Sequence, residues 1–173
     1  MRLQFLLLPA AIITSAPAFA ENYLTVPQAQ ALIFPGAKFT PADFDLDDGQ
    51  IVALMNDSQV PLWRRKVKAW KVSTGGWFFL DQVIGLEDHI TYALGVDKDG
   101  AVKGIEILTC LELYGGIRKP EWRAQFLGKR HGKIDLLDQI ALISGSSLST
   151  AHVAEGVKRL LATYALFLAP KAS

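Results

Sequence analysis

The stretch from Leu142 to Phe167 constrains the fold of this chain most. It begins with an apolar pair, continues with a glycine among hydroxyl residues from Ser144 to Thr150, and ends in an amphipathic segment from His152 to Phe167. Apolar residues recur in that segment at steps of three and four, the period of one helix face: Val153, Val157, Leu160, Leu161, Tyr164 and Phe167. The pattern predicts a strand-like lead-in, a tight turn and a long helix that Pro170 ends.

Four positions of this helix carry separate expectations. Glu155, Lys158 and Arg159 fall outside the apolar stripe, so we expect them to face away from the core. Gly156 costs a helix about 1 kcal/mol relative to Ala. We therefore expect another part of the chain to pack closely against the helix at Gly156.

The hydroxyl-rich turn before the helix is typical of an anion site. A helix N-terminus presents unpaired N–H groups and the positive end of the helix dipole, which suits a phosphate. The stretch lacks the second glycine of a nucleophile elbow, and His89, His131 and His152 are too dispersed to propose a zinc site. Turnover chemistry, if present, would have to come from a cofactor.

Ser144-Gly145-Ser146-Ser147-Leu148-Ser149 resembles the S/T-G-A-T/S-x-S/T box of the FMN-binding domain found in RnfG- and NqrC-type subunits of redox complexes. In that family the fourth position carries FMN through a phosphoester bond made by a dedicated flavin transferase. The corresponding residue here is Ser147. Two positions depart from the family pattern, since Ser146 replaces the usual Ala and Ala141 stands where Asp is usual.

Two weaker segments add to the resemblance, which runs from about Val83 to Leu161. Glu112-Leu113-Tyr114-Gly115-Gly116 is similar to the family's E-T-P-G segment, and Trp122 to Lys129 is similar to its W-x-x-x-F-x-G-K segment. The resemblance implies that Ser144, Gly145, Ser146, Leu148 and Ser149 shape the phosphate pocket, with Glu112 and Tyr114 near the flavin ring. It also implies an electron carrier that passes electrons between redox partner proteins. The two departures motivate an alternative, a non-redox binding module that holds FMN loosely or takes another phosphate ligand.

The first twenty residues predict an export signal. Arg2 forms a short basic region, Phe5 to Ile13 an apolar core, and Ala18-Phe19-Ala20 a cleavage site. We expect a mature chain of residues 21–173 that forms one domain in the periplasm or outside the cell, with no membrane span after signal removal. A signal anchor is the alternative, although the apolar run is shorter than the ~20 residues that a bilayer span needs.

Composition narrows the partners and cofactors. The formal net charge is +1, and removal of Arg2 brings it near zero, which argues against nucleic acid or an anionic membrane surface as the main partner. Cys110 is the single cysteine, which excludes an internal disulfide and a C-x-x-C-H haem attachment.

The rest of the chain predicts an α+β fold. Thr25 caps a helix over residues 26–34, and residues 67–72, 77–84, 90–96 and 102–108 form two hairpins of an antiparallel sheet. The sheet is expected to pack with the N-terminal helix and the long C-terminal helix. A short helix or strand is expected over residues 50–55, and a solvated acidic loop over residues 43–48 is preferred to a calcium site.

Side chains in these segments leave further alternatives. Trp63, Trp70 and Trp77 could stack on a planar cofactor, but core or sheet packing explains them as well. Trp122 and Phe126 are predicted on one face of a short helix behind Pro120. The basic run over residues 129–133 is interpreted as a solvated turn or, alternatively, as a contact to an anionic redox partner.

Overall fold

The computed structural model describes residues 21–86, 88–110, 116–132 and 135–170. The predicted signal peptide and the predicted flavin-ring residues Glu112 and Tyr114 lie outside these ranges. Within the described ranges, no helix combines the length and the apolar character needed to cross a bilayer.

Helices flank a central set of strands. In chain order the elements are β1 (Glu21–Asn22), α1 (Val26–Ile33), β2 (Phe39–Pro41), β3 (Phe44–Asp45), α2 (Asp48–Ser58), β4 (Lys66–Val72), β5 (Trp77–Ile84), β6 (His89–Val96), β7 (Val102–Cys110), α3 (Pro120–Ala124) and α4 (Ser147–Thr163). The described strands form one antiparallel sheet in the order β1-β7-β6-β5-β4-β2, and β3 also pairs with β4. The α+β class and both hairpins, β4–β5 and β6–β7, are confirmed.

The sheet buries both of its faces. One face packs against α2 and α4 around Phe79, Tyr92 and Val153, all fully buried. The opposite face packs against α1, and a Cβ added at Gly95 would lie 2.3 Å from Ile33 Cγ2. Glycine at this strand position therefore allows α1 to lie directly on the sheet.

Capping boxes define the starts of α1 and α2. Thr25 and Gln28 cap α1 reciprocally, as Asp47 and Gln50 cap α2. The open choice over residues 50–55 is thus settled as a helix. The acidic stretch before it is partly structural, because Asp43 Oδ1 accepts from the Ala69 N–H at 3.1 Å. No group of three potential metal ligands occurs among the residues described.

Helix α4 corrects two predictions. It begins at Ser147 rather than His152, and a wider helical turn over Tyr164–Leu168 continues it towards Pro170. The predicted strand-like lead-in at Leu142-Ile143 is wrong, since these residues form no strand. Side chains bind the backbone just before them: the Trp122 indole N–H donates to the Ala141 carbonyl, and the Ala141 N–H donates to the Gln125 side chain.

Two positions within α4 show how closely it packs on the sheet. A Cβ at Gly156 would lie 2.3 Å from Tyr92 Oη and 3.0 Å from Val83 Cγ1, so the expected close neighbour is present. The prediction that Arg159 faces away from the core is wrong, because this residue is buried. Its guanidinium lies 2.7 Å from Asp81 Oδ2 on β5, a partner 78 positions away in sequence.

Candidate functional site

The hydroxyl-rich turn lies at one end of the sheet. Antiparallel pairing brings the end of β5 and the start of β6 together there, with Ile84 opposite His89. Helix α4 begins at the same end, because the Leu86 N–H donates to Ser149 Oγ at 3.2 Å. The His152 ring also contacts the Ile84 carbonyl through Nδ1 at 2.6 Å. The turn before α4 is therefore fixed against the β5–β6 connection.

A second connection approaches the turn from the other side. Strand β7 ends at Cys110 on this end of the sheet, and the described chain resumes at Gly116. A Cβ at Gly116 would lie 2.9 Å from Ile143 Cγ2, one residue before Ser144. Gly116, the last residue of the Glu112–Gly116 segment, thus packs beside the turn. The roles of Glu112 and Tyr114 stay predictions.

Glycine is favoured at position 145 by the backbone conformation and not by a lack of room for a side chain. Its φ is +83°, in the region that side-chain-bearing residues rarely adopt, and an added Cβ would meet no atom within 4 Å. The turn closes through the Ser146 N–H, which donates to the Ile143 carbonyl at 3.0 Å. This conformation leads the chain directly into α4.

The four serines of the turn differ in exposure. Ser146 and Ser149 are buried, and Ser149 Oγ already accepts the Leu86 N–H. Ser144 and Ser147 are exposed. Of the four hydroxyl groups, those of Ser144 and Ser147 are accessible to a ligand from solvent.

Backbone donors accompany the exposed hydroxyls. The N–H groups of Ser147 and Leu148 donate to no described residue, and the Ser146 side chain makes no capping hydrogen bond. Free N–H groups in the first turn of a helix carry partial positive charge. The open space at Gly145, the accessible hydroxyls and the free donors together fit the phosphate of a mononucleotide.

Thr150 holds the turn in place, a role that its position in the hydroxyl box did not indicate. Its Oγ1 lies 2.9 Å from the carbonyl oxygens of Ser146 and Ser147 and 3.4 Å from the Ile143 nitrogen. The side chain therefore joins the residues on both sides of Gly145. Its position four residues after Ser146 is the available sequence signal, because helical Thr often bonds the carbonyl four residues before it.

Farther along α4, a buried polar cluster is structural rather than reactive. Burial, with the nearby charge of Asp81, raises the pKa of the Tyr92 hydroxyl well above its usual value. The hydroxyl therefore stays protonated and donates to Asp81 Oδ2 at 2.8 Å. Burial alone would lower the Arg159 pKa, but the charges of Asp81, Tyr92 and Glu155 and the hydrogen bond to Asp81 together raise it. The ion pair between Arg159 and Asp81 joins α4 to β5.

The tryptophans that could stack on a planar cofactor differ in their surroundings. Trp70 packs edge-on against Phe78, and Trp77 stacks on Phe79, so both serve sheet packing. Trp63 is 76% exposed. The predicted short helix is present, with the rings of Trp122 and Phe126 in edge contact at 5.1 Å.

The described part of the basic run makes internal contacts. Lys129 Nζ donates to the Gln139 side chain and Arg130 donates to the Asp99 carbonyl. The His131 ring lies 3.3 Å from an Asp57 carboxylate oxygen. These contacts favour the interpretation of a turn over a partner contact.

A family model built from known proteins matches part of the chain. Curated protein sequences contain no match to the chain. The family model of the FMN-binding domain matches residues 85–162, from the end of β5 to the last turns of α4. The match includes the turn, the β5–β6 connection and α3. This match agrees with the resemblance seen in the hydroxyl box, and it indicates FMN as the cofactor.

Proposed function

We propose that the protein is an exported electron carrier in which Ser147 holds FMN through a phosphoester bond. The observation that carries this proposal is the exposure of Ser147 at the first residue of α4, whereas its neighbours Ser146 and Ser149 are buried. A phosphate on Ser147 would lie beside the free N–H groups of Ser147 and Leu148. These groups stabilise negative charge without needing a basic side chain.

Ser144 is the remaining accessible hydroxyl, and its position makes it the weaker acceptor. It precedes Gly145, so it lies on the other side of the turn from the first residue of α4. The helix dipole acts mainly within the first turn of the helix. A phosphate on Ser144 would gain less from it than a phosphate on Ser147.

The chain's own residues would hold and orient the cofactor, while FMN supplies electron transfer in steps of one or two electrons. Thr150 and the Leu86–Ser149 hydrogen bond keep the turn rigid. The polar cluster on α4 is fully engaged in internal contacts, and nothing in it is poised to react with a substrate. This arrangement favours an electron carrier over a substrate-converting enzyme.

Peptide mass mapping tests the attachment site. The protein is co-expressed with a flavin transferase, and we expect the mass of FMN on the peptide that carries Ser147. Ser147→Ala should abolish the adduct and Ser147→Thr should keep it, while Ser144→Ala serves as the matched exposed control. An adduct on Ser144 or Ser149, or full flavin content in Ser147→Ala, would refute the assignment.

A non-covalent binding module is the second candidate. The Ser146 and Ala141 departures favour it, because both alter the pattern that a transferase would read. The structure adds that Ser146 is buried, so this hydroxyl replaces the family's Ala inside the turn rather than on its surface. Flavin that leaves the protein on denaturation would support this candidate, whereas flavin that stays on the chain would exclude it.

Export is tested separately. The small residues before Glu21 suit a signal peptidase, so the intact mass of the exported protein should correspond to residues 21–173. A membrane-bound protein that retains Met1 would instead support the signal anchor.

A further inference from the structure

A basic groove of about 320 Å³ crosses one face of the sheet. Arg64, Lys66 and Lys68 line one side of it, and Gln82 and Thr91 form its polar floor. The floor is ordered by two hydrogen bonds, from Arg64 to Gln82 at 2.6 Å and from Gln82 to Thr91 at 3.2 Å. These five residues define what is called here the basic groove.

The basic groove lies close to the end of the sheet that carries the hydroxyl-rich turn from Ser144 to Thr150, which is called the FMN turn below. Gln82 is two residues before the end of β5, and Thr91 is two residues after the start of β6. At about 3.3 Å per residue, Gln82 and Thr91 each lie about 7 Å along their strand from this end of the sheet. Val83 faces α4, so Gln82 and the groove face the other side of the sheet.

The basic groove keeps an excess of positive charge. Asp81 also lines it, but this carboxylate is neutralised by Arg159. Lys66 lies 3.7 Å from a carboxylate oxygen of Asp45, with both side chains largely exposed. Lys68 forms no ion pair with any residue in the described ranges. Three cations thus face one exposed carboxylate, which leaves two positive charges uncompensated.

An apolar border connects the basic groove to the FMN turn. Trp63, Ile84 and Leu86 are large apolar residues that are 76%, 50% and 61% exposed. Trp63 and Ile84 line a second groove of about 220 Å³ beside His152. Leu86 reaches the turn through its hydrogen bond to Ser149. The border therefore runs from the groove to within one residue of Leu148.

We propose that the basic groove and its apolar border form the docking surface for an acidic electron-transfer protein. The proposal rests on the electron-carrier function above. Opposite charge steers a partner into place, and exposed Trp and aliphatic side chains hold it once water is excluded. Docking here would bring the partner's redox centre beside the FMN turn, where electrons have the shortest path.

Charge reversal tests this surface with an acidic plant-type [2Fe–2S] ferredoxin as the probe. Two reduced ferredoxins, each oxidised by one electron, would reduce one FMN by two electrons, and the protons that the reduced flavin needs would come from water. In Lys66→Glu/Lys68→Glu, we expect the second-order rate constant at low salt to fall about tenfold or more, with the difference lost at high salt. The matched control is Lys38→Glu/Lys119→Glu, which changes net charge equally on exposed positions away from the groove and should lose less than about twofold.

A second variant separates docking from general charge effects. Trp63→Ala should slow the reaction while leaving its salt dependence unchanged, because it removes contact area and no charge. Equal losses in both charge-reversed proteins, or an unchanged rate in the groove variant, would overturn the proposal.

Failure of the proposed function can be distinguished from failure of the docking surface. Flavin content and reduction by dithionite are measured first, and a protein without flavin would refute the electron-carrier function alone. Binding of oxidised ferredoxin, measured by calorimetry, would then still test the docking surface. We expect the affinities of the wild type and the variants to follow the same order as the rate constants above. Absence of binding to wild type at low salt would overturn it.

Discussion

Substitution of Gly156 by Ala tests the packing of α4 on the sheet. The new Cβ would lie 2.3 Å from Tyr92 Oη, far inside van der Waals contact. Tyr92 is fully buried, and its hydroxyl is held by Asp81, which Arg159 holds in turn. The ring cannot move aside without breaking this chain of hydrogen bonds.

The magnitude follows from three contributions. Overpacking costs about 1–3 kcal/mol, and loss of the Tyr92 bond to a charged carboxylate costs about 1.5–3 kcal/mol. Replacing Gly by Ala in a helix returns about 1 kcal/mol. We therefore expect Gly156→Ala to lower the free energy of unfolding by about 1.5–5 kcal/mol.

Urea denaturation of the purified protein measures this change. Gly132→Ala is the control, since an added Cβ there meets no atom within 4 Å, and its effect should stay within about 0.5 kcal/mol. Tyr92→Phe removes the clashing hydroxyl, so the double variant with Gly156→Ala should be less destabilised than the sum of the two single variants. A Gly156→Ala protein as stable as wild type would refute the packing.

Three further predictions concern the turn, the buried ion pair and acid stability. Gly145→Ala forces a side chain into positive φ, at a cost of about 1–2 kcal/mol in unfolding free energy, and should reduce flavin retention by a larger factor; equal flavin content by absorbance would count against the turn as the cofactor site. Arg159→Met leaves Asp81 unpaired and should destabilise by about 3 kcal/mol in urea, with partial recovery on adding Asp81→Asn; no recovery would contradict the pairing. The hydrogen bond from Lys158, with that from the Leu137 N–H, lowers the Asp135 pKa below its usual 3.8, so this contribution is present above that pH and lost as pH falls through the lower, folded-state pKa. Asp135→Asn should therefore flatten the acid dependence of the urea midpoint, and an unchanged slope would contradict this.

The regular elements were predictable because local patterns specify them. Alternation within residues 67–72 and the three-and-four spacing after His152 predict β4 and α4 without knowledge of distant partners. The start of α4 was not predictable to the residue, because Ser and Thr are weak helix formers and the tertiary contact of Ser149 with Leu86 stabilises that first turn. The prediction that Arg159 faces away from the core was wrong because its partner, Asp81, is distant in sequence.

In the candidate site, too, some features follow from the local sequence and others from contacts between residues distant in sequence. The hydroxyl box is visible in sequence, and the resemblance identified Ser147 within it. Whether a given serine is accessible depends on the contact from the β5–β6 connection and on the positive φ of Gly145. The basic groove was hidden because it joins the 64–68 segment to two separate strands, and the sequence drew attention to residues 129–133 instead.

The central claim is that this fold holds FMN on the turn that begins α4. The most direct measurement is the visible absorption spectrum of protein purified from its native host, followed by in-gel flavin fluorescence after denaturation. We expect about one flavin per chain, fluorescent at the position of the denatured protein and absent from Ser147→Ala. A colourless wild-type protein, or a flavin content unaffected by Ser147→Ala, would contradict the account.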